Sequence, residues 1–267
     1  MSVAERLCER SRLREHTILT SLERLTLQPL IDKLQFWAPL SDAGEAALRA
    51  LPVTFRRLKA GHYVVWDGDR PQHSCLLIHG FAYRHKIVRE GKKQIFSLHM
   101  DGDLVDLQNS LLGRADHNVE MLTDCDVALI PVDAIRKIAF DHPSVGMAMW
   151  YETLVEGSIF REWIANIGRR DARARIAHLI CEFAMRLKAA KLGTPDGFMI
   201  PMSQEWISDA VSLTSVHVNR VLKALQADGL IHRSRRWIEV RDWDGLVEAG
   251  DFNPAYLHLD QVHPAAI

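Results

Sequence analysis

Between residues 53 and 131 the chain is cut by a turn signal roughly every 8–12 residues, the rhythm of a sandwich or barrel. The signals are Ala60-Gly61, Asp67-Gly68-Asp69, His79-Gly80, Glu90-Gly91 and Asp101-Gly102-Asp103. Between them run Tyr63-Val64-Val65-Trp66, Cys75-Leu76-Leu77-Ile78 and Gln94-Ile95-Phe96-Ser97-Leu98, and Val127-Ala128-Leu129-Ile130 follows. Several runs are continuously apolar, so those strands are expected to be buried on both faces. No long helix fits there. Residues 144–167 are the opposite case, with no proline and with Met147, Trp150, Tyr151, Leu154, Val155, Ile159, Phe160, Trp163, Ile164 and Ile167. This predicts a helix of ~36 Å. So much apolar surface on one helix needs cover from more than one side, and a second copy of the chain supplies it most simply; burial within a single chain is the alternative.

Shorter helices flank these regions. One is expected over 29–37. A second is capped by Ser41 or Asp42, carries Glu45 in its first turn and ends at Pro52. A further helix over 169–187 places Ile176, Leu179, Ile180, Phe183 and Leu187 on one face. A loop, Gly193-Thr194-Pro195-Asp196-Gly197, then leads to a short strand at Phe198-Met199-Ile200. Residues 1–28 read as a charged extension or frayed helix.

The most informative stretch is 203–231. Ser203 suits an N-cap, and Gln204 and Glu205 complement the dipole of the first turn. Trp206, Ile207 and Ala210 form an apolar face, Val211-Ser212-Leu213 is a break, and Thr214 caps a second helix. There Val218, Val221, Leu222 and Leu225 recur at i, i+3, i+4 and i+7 until Asp228-Gly229 ends it. This is the pattern of a helix-turn-helix. Ser215, His217, Asn219, Arg220 and Lys223 stand off the apolar stripe, in the turns that a recognition helix offers to base edges. Arg pairs with guanine and Asn with adenine through two hydrogen bonds each, while Ser203, Gln204 and Thr214 suit phosphates. Two short strands around Arg233-Ser234-Arg235-Arg236 read as a basic wing, with Arg233, Arg235 and Arg236 on the DNA backbone.

Charge agrees with this assignment. The chain has 33 Lys+Arg and 34 Asp+Glu, a net charge of −1, yet residues 169–241 hold 13 basic against seven acidic residues. A basic C-terminal part on an acidic N-terminal part fits a DNA-binding module joined to something else. The four cysteines, Cys8, Cys75, Cys125 and Cys181, form no CxxC pair. Neither a metal site nor a disulfide framework is therefore expected. The N-terminus lacks the apolar core of a signal peptide, and no apolar run approaches the ~18 residues that span a bilayer. A cytoplasmic protein with no membrane partner is expected.

The stretches Met202-Ser203-Gln204-Glu205-Trp206-Ile207, Leu213 to Leu225 and Asp228-Gly229-Leu230-Ile231 resemble the helix-turn-helix of the Crp/Fnr family of bacterial regulators. Gly102-Asp103-Leu104-Val105-Asp106 and Leu58-Lys59-Ala60-Gly61 resemble its roll signatures. The match covers about residues 30–241 and implies an eight-stranded roll. It also implies a homodimer sealed by the long helix, a near-palindromic double-stranded DNA operator and RNA polymerase as a further partner. Of the base-reading positions in the family, Arg220 carries over directly, while Ser215 and Val216 stand at the other two. The resemblance locates an effector pocket at Asp106, Leu107, Arg114, His117 and Asn118. Leu107 stands where cyclic-nucleotide binders have Glu, and His117-Asn118 stand where they have Arg-Ser, which argues against cyclic AMP. Cys8 stands alone where iron–sulfur members carry a cluster of cysteines, so no iron–sulfur cluster is expected.

The expected fold is α+β, with an N-terminal antiparallel, jelly-roll-like β-roll, a long dimerisation helix and a C-terminal winged helix-turn-helix. The domains expected are an extension at 1–28, the roll with its flanking helices at 29–140, the long helix at 141–168, the DNA-binding domain at 169–245 and a tail at 246–267. Two other readings compete. A roll enzyme of cupin type would want clustered metal ligands, and His62, His73, His79, His85, His99 and His117 form no H-x-H pair. A small-molecule-binding module whose helix-turn-helix merely packs would bind no DNA. A haem or other small effector stays open, without support from the histidine spacing. No motif marks an enzyme, and no catalytic residue is assigned.

Overall fold

The computed structural model describes residues 25–192, 198–199, 201–234 and 237–260. Most of the expected extension, with Cys8, lies outside them, as do the loop at 193–197, Ile200, Arg235 and Arg236.

Two helices open the fold, α1 (Gln28–Trp37) and α2 (Asp42–Arg49). Of the two caps expected for the second, Ser41 is the one used: its Oγ accepts from Gly44 N at 3.1 Å. Seven strands follow: β1 (Thr54–Leu58), β2 (Tyr63–Val65), β3 (His73–His79), β4 (Ala82–Ile87), β5 (Lys93–His99), β6 (Asn118–Met121) and β7 (Cys125–Pro131). A one-turn helix, α3 (Asn109–Leu112), lies between β5 and β6. The strands form two antiparallel sheets, in the orders β1-β7-β3 and β2-β6-β4-β5. Where the resemblance implies an eighth strand, the described residues hold an isolated bridge between Leu76 and Leu104.

The continuously apolar runs are buried on both faces, as their composition predicts. Cys75 and Leu77 of β3 point between the sheets, with Val65, Val119 and Val127. Leu76 and Ile78, one residue out of phase, face outward onto Leu30, Ile31 and Leu34 of α1 and onto α4 (Val132–Asp141). Gly102 holds φ +90°, and a Cβ there would meet Pro29 O at 2.8 Å, so the Gly-Asp turn can lie against the start of α1 only as glycine.

Helix α5 (Pro143–Arg169) runs 27 residues, with Pro143 in its first turn, where a missing N–H costs nothing. Val145, Ala148, Met149, Val155 and Trp163 are buried on one side. On the other, Met147, Trp150, Leu154 and Ile164 stand exposed, Trp150 by 60% and Ile164 by 68%. With Gly157 and Arg161 between them, these positions recur at alternating three- and four-residue spacing, as heptad a and d positions do. Among the described residues, no helix is long and apolar enough to cross a membrane.

Helix α6 (Ala172–Ala189) starts at Asp171, whose Oδ1 accepts from Ala174 N at 2.9 Å. The helix-turn-helix is α7 (Gln204–Val211) and α8 (Ser215–Ala227). The sheet β8 (Phe198–Met199), β9 (Ile231–Ser234) and β10 (Trp237–Val240) completes the domain in the order β8-β10-β9. The boundary expected at residue 245 falls inside a last helix, α9 (Trp243–Gly250), capped by Asp242 and packed on α6. The chain beyond it returns to the core: Leu257 is buried, and Tyr256 Oη donates to Glu182 at 2.8 Å. The described part of the expected tail therefore packs on the core, where Phe252 and Leu257 are buried.

Candidate nucleic-acid interface

Both caps of the helix-turn-helix form as the sequence predicts. Ser203 Oγ accepts from Trp206 N at 3.1 Å, and Thr214 Oγ1 accepts from His217 N at 3.3 Å. Ser212 between them takes a left-handed conformation, φ 54°, that turns the chain from one helix into the next. Val218, Val221, Leu222 and Leu225 are buried against Trp206, Ile207 and Ala210. This packing fixes which face of α8 points out. Ser215, Arg220 and Lys223 are exposed, and His217 and Asn219 are half-buried. Asn219 Oδ1 accepts from Gln204 Nε2 at 3.2 Å, so these two candidates hold each other across the helix pair.

The wing is a two-stranded ribbon in which Ser234 pairs with Trp237. Arg233 sits half-buried at its edge, and its backbone N–H donates to Gln226 Oε1 at 3.0 Å. The domain also leans on the roll. Trp206 meets Tyr83 edge to face at 5.8 Å, Gln94 Nε2 donates to Ala210 O at 3.3 Å, and Ser212 Oγ donates to Gln94 Oε1 at 2.6 Å.

Of the five residues of the expected effector pocket, Asp106 and His117 come near the Arg84 guanidinium. Asp106 is buried and accepts from Ser74 Oγ at 2.6 Å and Cys75 N at 2.9 Å; burial pushes its carboxyl up to about 6 against those bonds. Asn118 Oδ1 accepts from Asp67 N at 3.0 Å, and His117 Nδ1 lies 2.7 Å from Asp116. Burial lowers the His117 pKa. Arg114 is exposed beside the Gly68 turn. Leu107 lines a cavity elsewhere, against α1 and α5.

Sequence reasoning missed Arg84, the buried cation of the roll. Its Nε donates to Val105 O at 2.8 Å, Nη1 to Glu156 Oε1 at 2.5 Å and Nη2 to Gln108 Oε1 at 3.1 Å. Three of its five N–H donors are so engaged, which leaves two for any further acceptor. The signal that could have found this pair lies on α5, where Glu152 and Glu156 interrupt an apolar helix four residues apart. Among the described residues, no group of three or more His, Cys, Asp or Glu side chains is arranged to hold a metal. Cys75, Cys125 and Cys181 are buried, and burial raises each thiol, Cys181 to about 12.

A roll, a long helix and a winged helix-turn-helix define a class of regulators, and the comparisons place the chain within it. Residues 55–142 match the cyclic nucleotide-binding domain, and residues 174–249 match the Crp-like helix-turn-helix domain. The chain is 30% identical to the transcriptional activator protein FnrL of Cereibacter sphaeroides, over 79% of this chain and 86% of that one. It is 26% identical to the nitrogen fixation regulation protein FixK of Bradyrhizobium diazoefficiens, over 73% of this chain and 81% of that one. The fold matches FixK2 from Bradyrhizobium japonicum with a TM-score of 0.66 and 21% identity, covering 74% of this chain and 98% of that one. The chain belongs to the Crp/Fnr family. It is a transcription regulator of that type, with a DNA-binding helix-turn-helix.

Proposed function

We propose that the regulator acts as a homodimer on a near-palindromic operator, reads bases with His217, Asn219 and Arg220, and answers to an effector other than cyclic AMP. The observation that carries this reading is the outward face of α8: Ser215, Arg220 and Lys223 are exposed over a fully packed scaffold. Ser203, Gln204, Thr214 and Arg233 flank that face and suit phosphates, and Arg235 and Arg236 are assigned the same role. The exposed stripe of α5 supports the dimer, since an apolar seam of heptad spacing needs a partner helix. Leu107, His117 and Asn118, together with the engagement of Arg84, support an effector other than cyclic AMP. The name of FnrL, a transcriptional activator, supports RNA polymerase as a partner. The same reading puts the protein in the cytoplasm and gives it no catalytic role.

The test is a gel shift with genomic fragments across a range of salt. Affinity is expected to fall ~10³-fold or more between 50 and 200 mM salt, because phosphate contacts release counterions. A chain that shifts no fragment at low salt would overturn the reading.

A further inference from the structure

A cavity of about 330 Å³ lies where the roll, the long helix and the DNA-binding domain meet. Small-molecule sites start at about this size. Phe36 and Trp37 of α1, Leu104 and Leu107 after the Gly-Asp turn, and Val155 and Ile159 of α5 form its apolar wall. Its cations already have partners. Lys33 Nζ lies 2.8 Å from Asp103 Oδ1. Arg186 Nη2 donates to Leu98 O at 2.8 Å and lies 3.7 Å from Asp103 Oδ2. Asp103 is thereby held well below the usual carboxylate range, although burial alone would raise it.

One acid has no such match. Glu152 Oε2 is shut off from solvent and has no hydrogen-bond partner. An enclosed carboxyl oxygen without a donor is costly, and an occupant that brings the donor relieves that cost. The occupant cannot sensibly be an anion, because Asp32, Asp101 and Asp103 share the wall with Glu152 and Glu156, against the already paired Lys33 and Arg186. We propose that this cavity binds a small amphipathic organic amine, its ammonium against Glu152 and its apolar body against Phe36, Trp37 and Leu107. The site is separate from the roll interior, which Val65, Leu77, Val119 and Val127 fill. Its walls belong to α1, the roll, α5 and α6 together.

Glu152 also supplies a signature. Burial pushes its carboxyl up to about 8, opposed by Lys33 and reinforced by Asp103 and Glu156, with Arg84 also lowering it and His99 and Arg186 on the same wall. At about pH 7 the acid is therefore mostly neutral, and an arriving ammonium ionises it, releasing about one proton per chain.

The experiment is calorimetry on the full chain without DNA, in two buffers of different ionisation heat, with 2-phenylethylamine as probe. 3-Phenylpropanoate and 2-phenylethanol are the controls. The amine is expected to bind at least about tenfold more tightly than either control, as a charge-assisted bond should, with proton release. Glu152→Gln is expected to lose about that factor and the proton release with it. Failure of the amine to bind, equal binding of the carboxylate, or binding without proton release in the unsubstituted chain overturns the proposal. That last measurement stands even if Glu152→Gln fails to fold. None of these outcomes depends on the gel shift, so the failure of either idea is separately visible.

Discussion

Arg84 of β4 donates to Glu156 of α5 at 2.5 Å, and this bond fastens a strand of the roll to the long helix. Removing one member of a buried pair leaves the other uncompensated. Arg84 is almost wholly buried while Glu156 is partly open to solvent. Arg84→Met is therefore expected to cost about 3 kcal/mol, at the lower end for buried pairs. Glu156→Gln keeps an acceptor but leaves the buried Arg84 charge without its counter-ion, and should cost at least as much, about 3 kcal/mol or more. Urea unfolding measures both. Burial would raise the Glu156 carboxyl, but Arg84 and His99 outweigh it and hold it below the usual range. The sign follows: this stability is present above about pH 4.3, the unfolded value, and is lost as pH falls below it.

Glu152 contributes with the opposite sign. Burial raises its carboxyl to about 8, so the folded state favours the neutral acid. Its contribution is fully present below about pH 4.3 and is lost as pH rises towards the folded value. Urea midpoints at several values between pH 5 and pH 9 should fall over that window in the native chain. In Glu152→Gln the same series should be flatter and its alkaline end higher; an unchanged slope would refute the assignment.

Arg220→Ala should weaken binding to the preferred operator by about 1–3 kcal/mol and relax preference at one base position. Lys223→Ala should instead weaken all sequences alike and lower the salt slope by about one. Selection from a randomised site, followed by gel shifts, separates the two behaviours. Equal affinity and unchanged preference in Arg220→Ala would remove α8 from the major groove.

Leu154→Glu and Ile164→Lys each put a charge into the exposed stripe of α5. The native chain is expected to have twice the chain mass by light scattering, and both variants about the mass of one chain, with helix content retained by circular dichroism. A single-chain mass for the native protein would refute the seam.

The features that were legible in the sequence are those with local causes. Ser203 and Thr214 cap because a short hydroxyl meets the next turn of its own helix. The strands of the roll announce themselves through turns and apolar runs. β4 is not announced, because Arg84, His85 and Lys86 interrupt its apolar pattern and the partner that buries Arg84 lies 72 residues away. The packing of the tail is not legible because Phe252, Tyr256 and Leu257 give no periodic signal, and their fit onto α6 is a matter of tertiary shape. Asp106, His117 and Asn118 follow from family likeness, and their bonds to Ser74, Asp116 and Asp67 serve the turns of the roll. Arg235 and Arg236 lie beyond the described residues.

Ser212 is both the left-handed residue between α7 and α8 and the donor to Gln94 on the roll. A serine held at φ 54° stores about 1–2 kcal/mol that a glycine would not. The turn itself is held locally, by the Ser212 and Leu213 N–H groups on Ser208 O, and the roll reaches it through the side chain of that one serine.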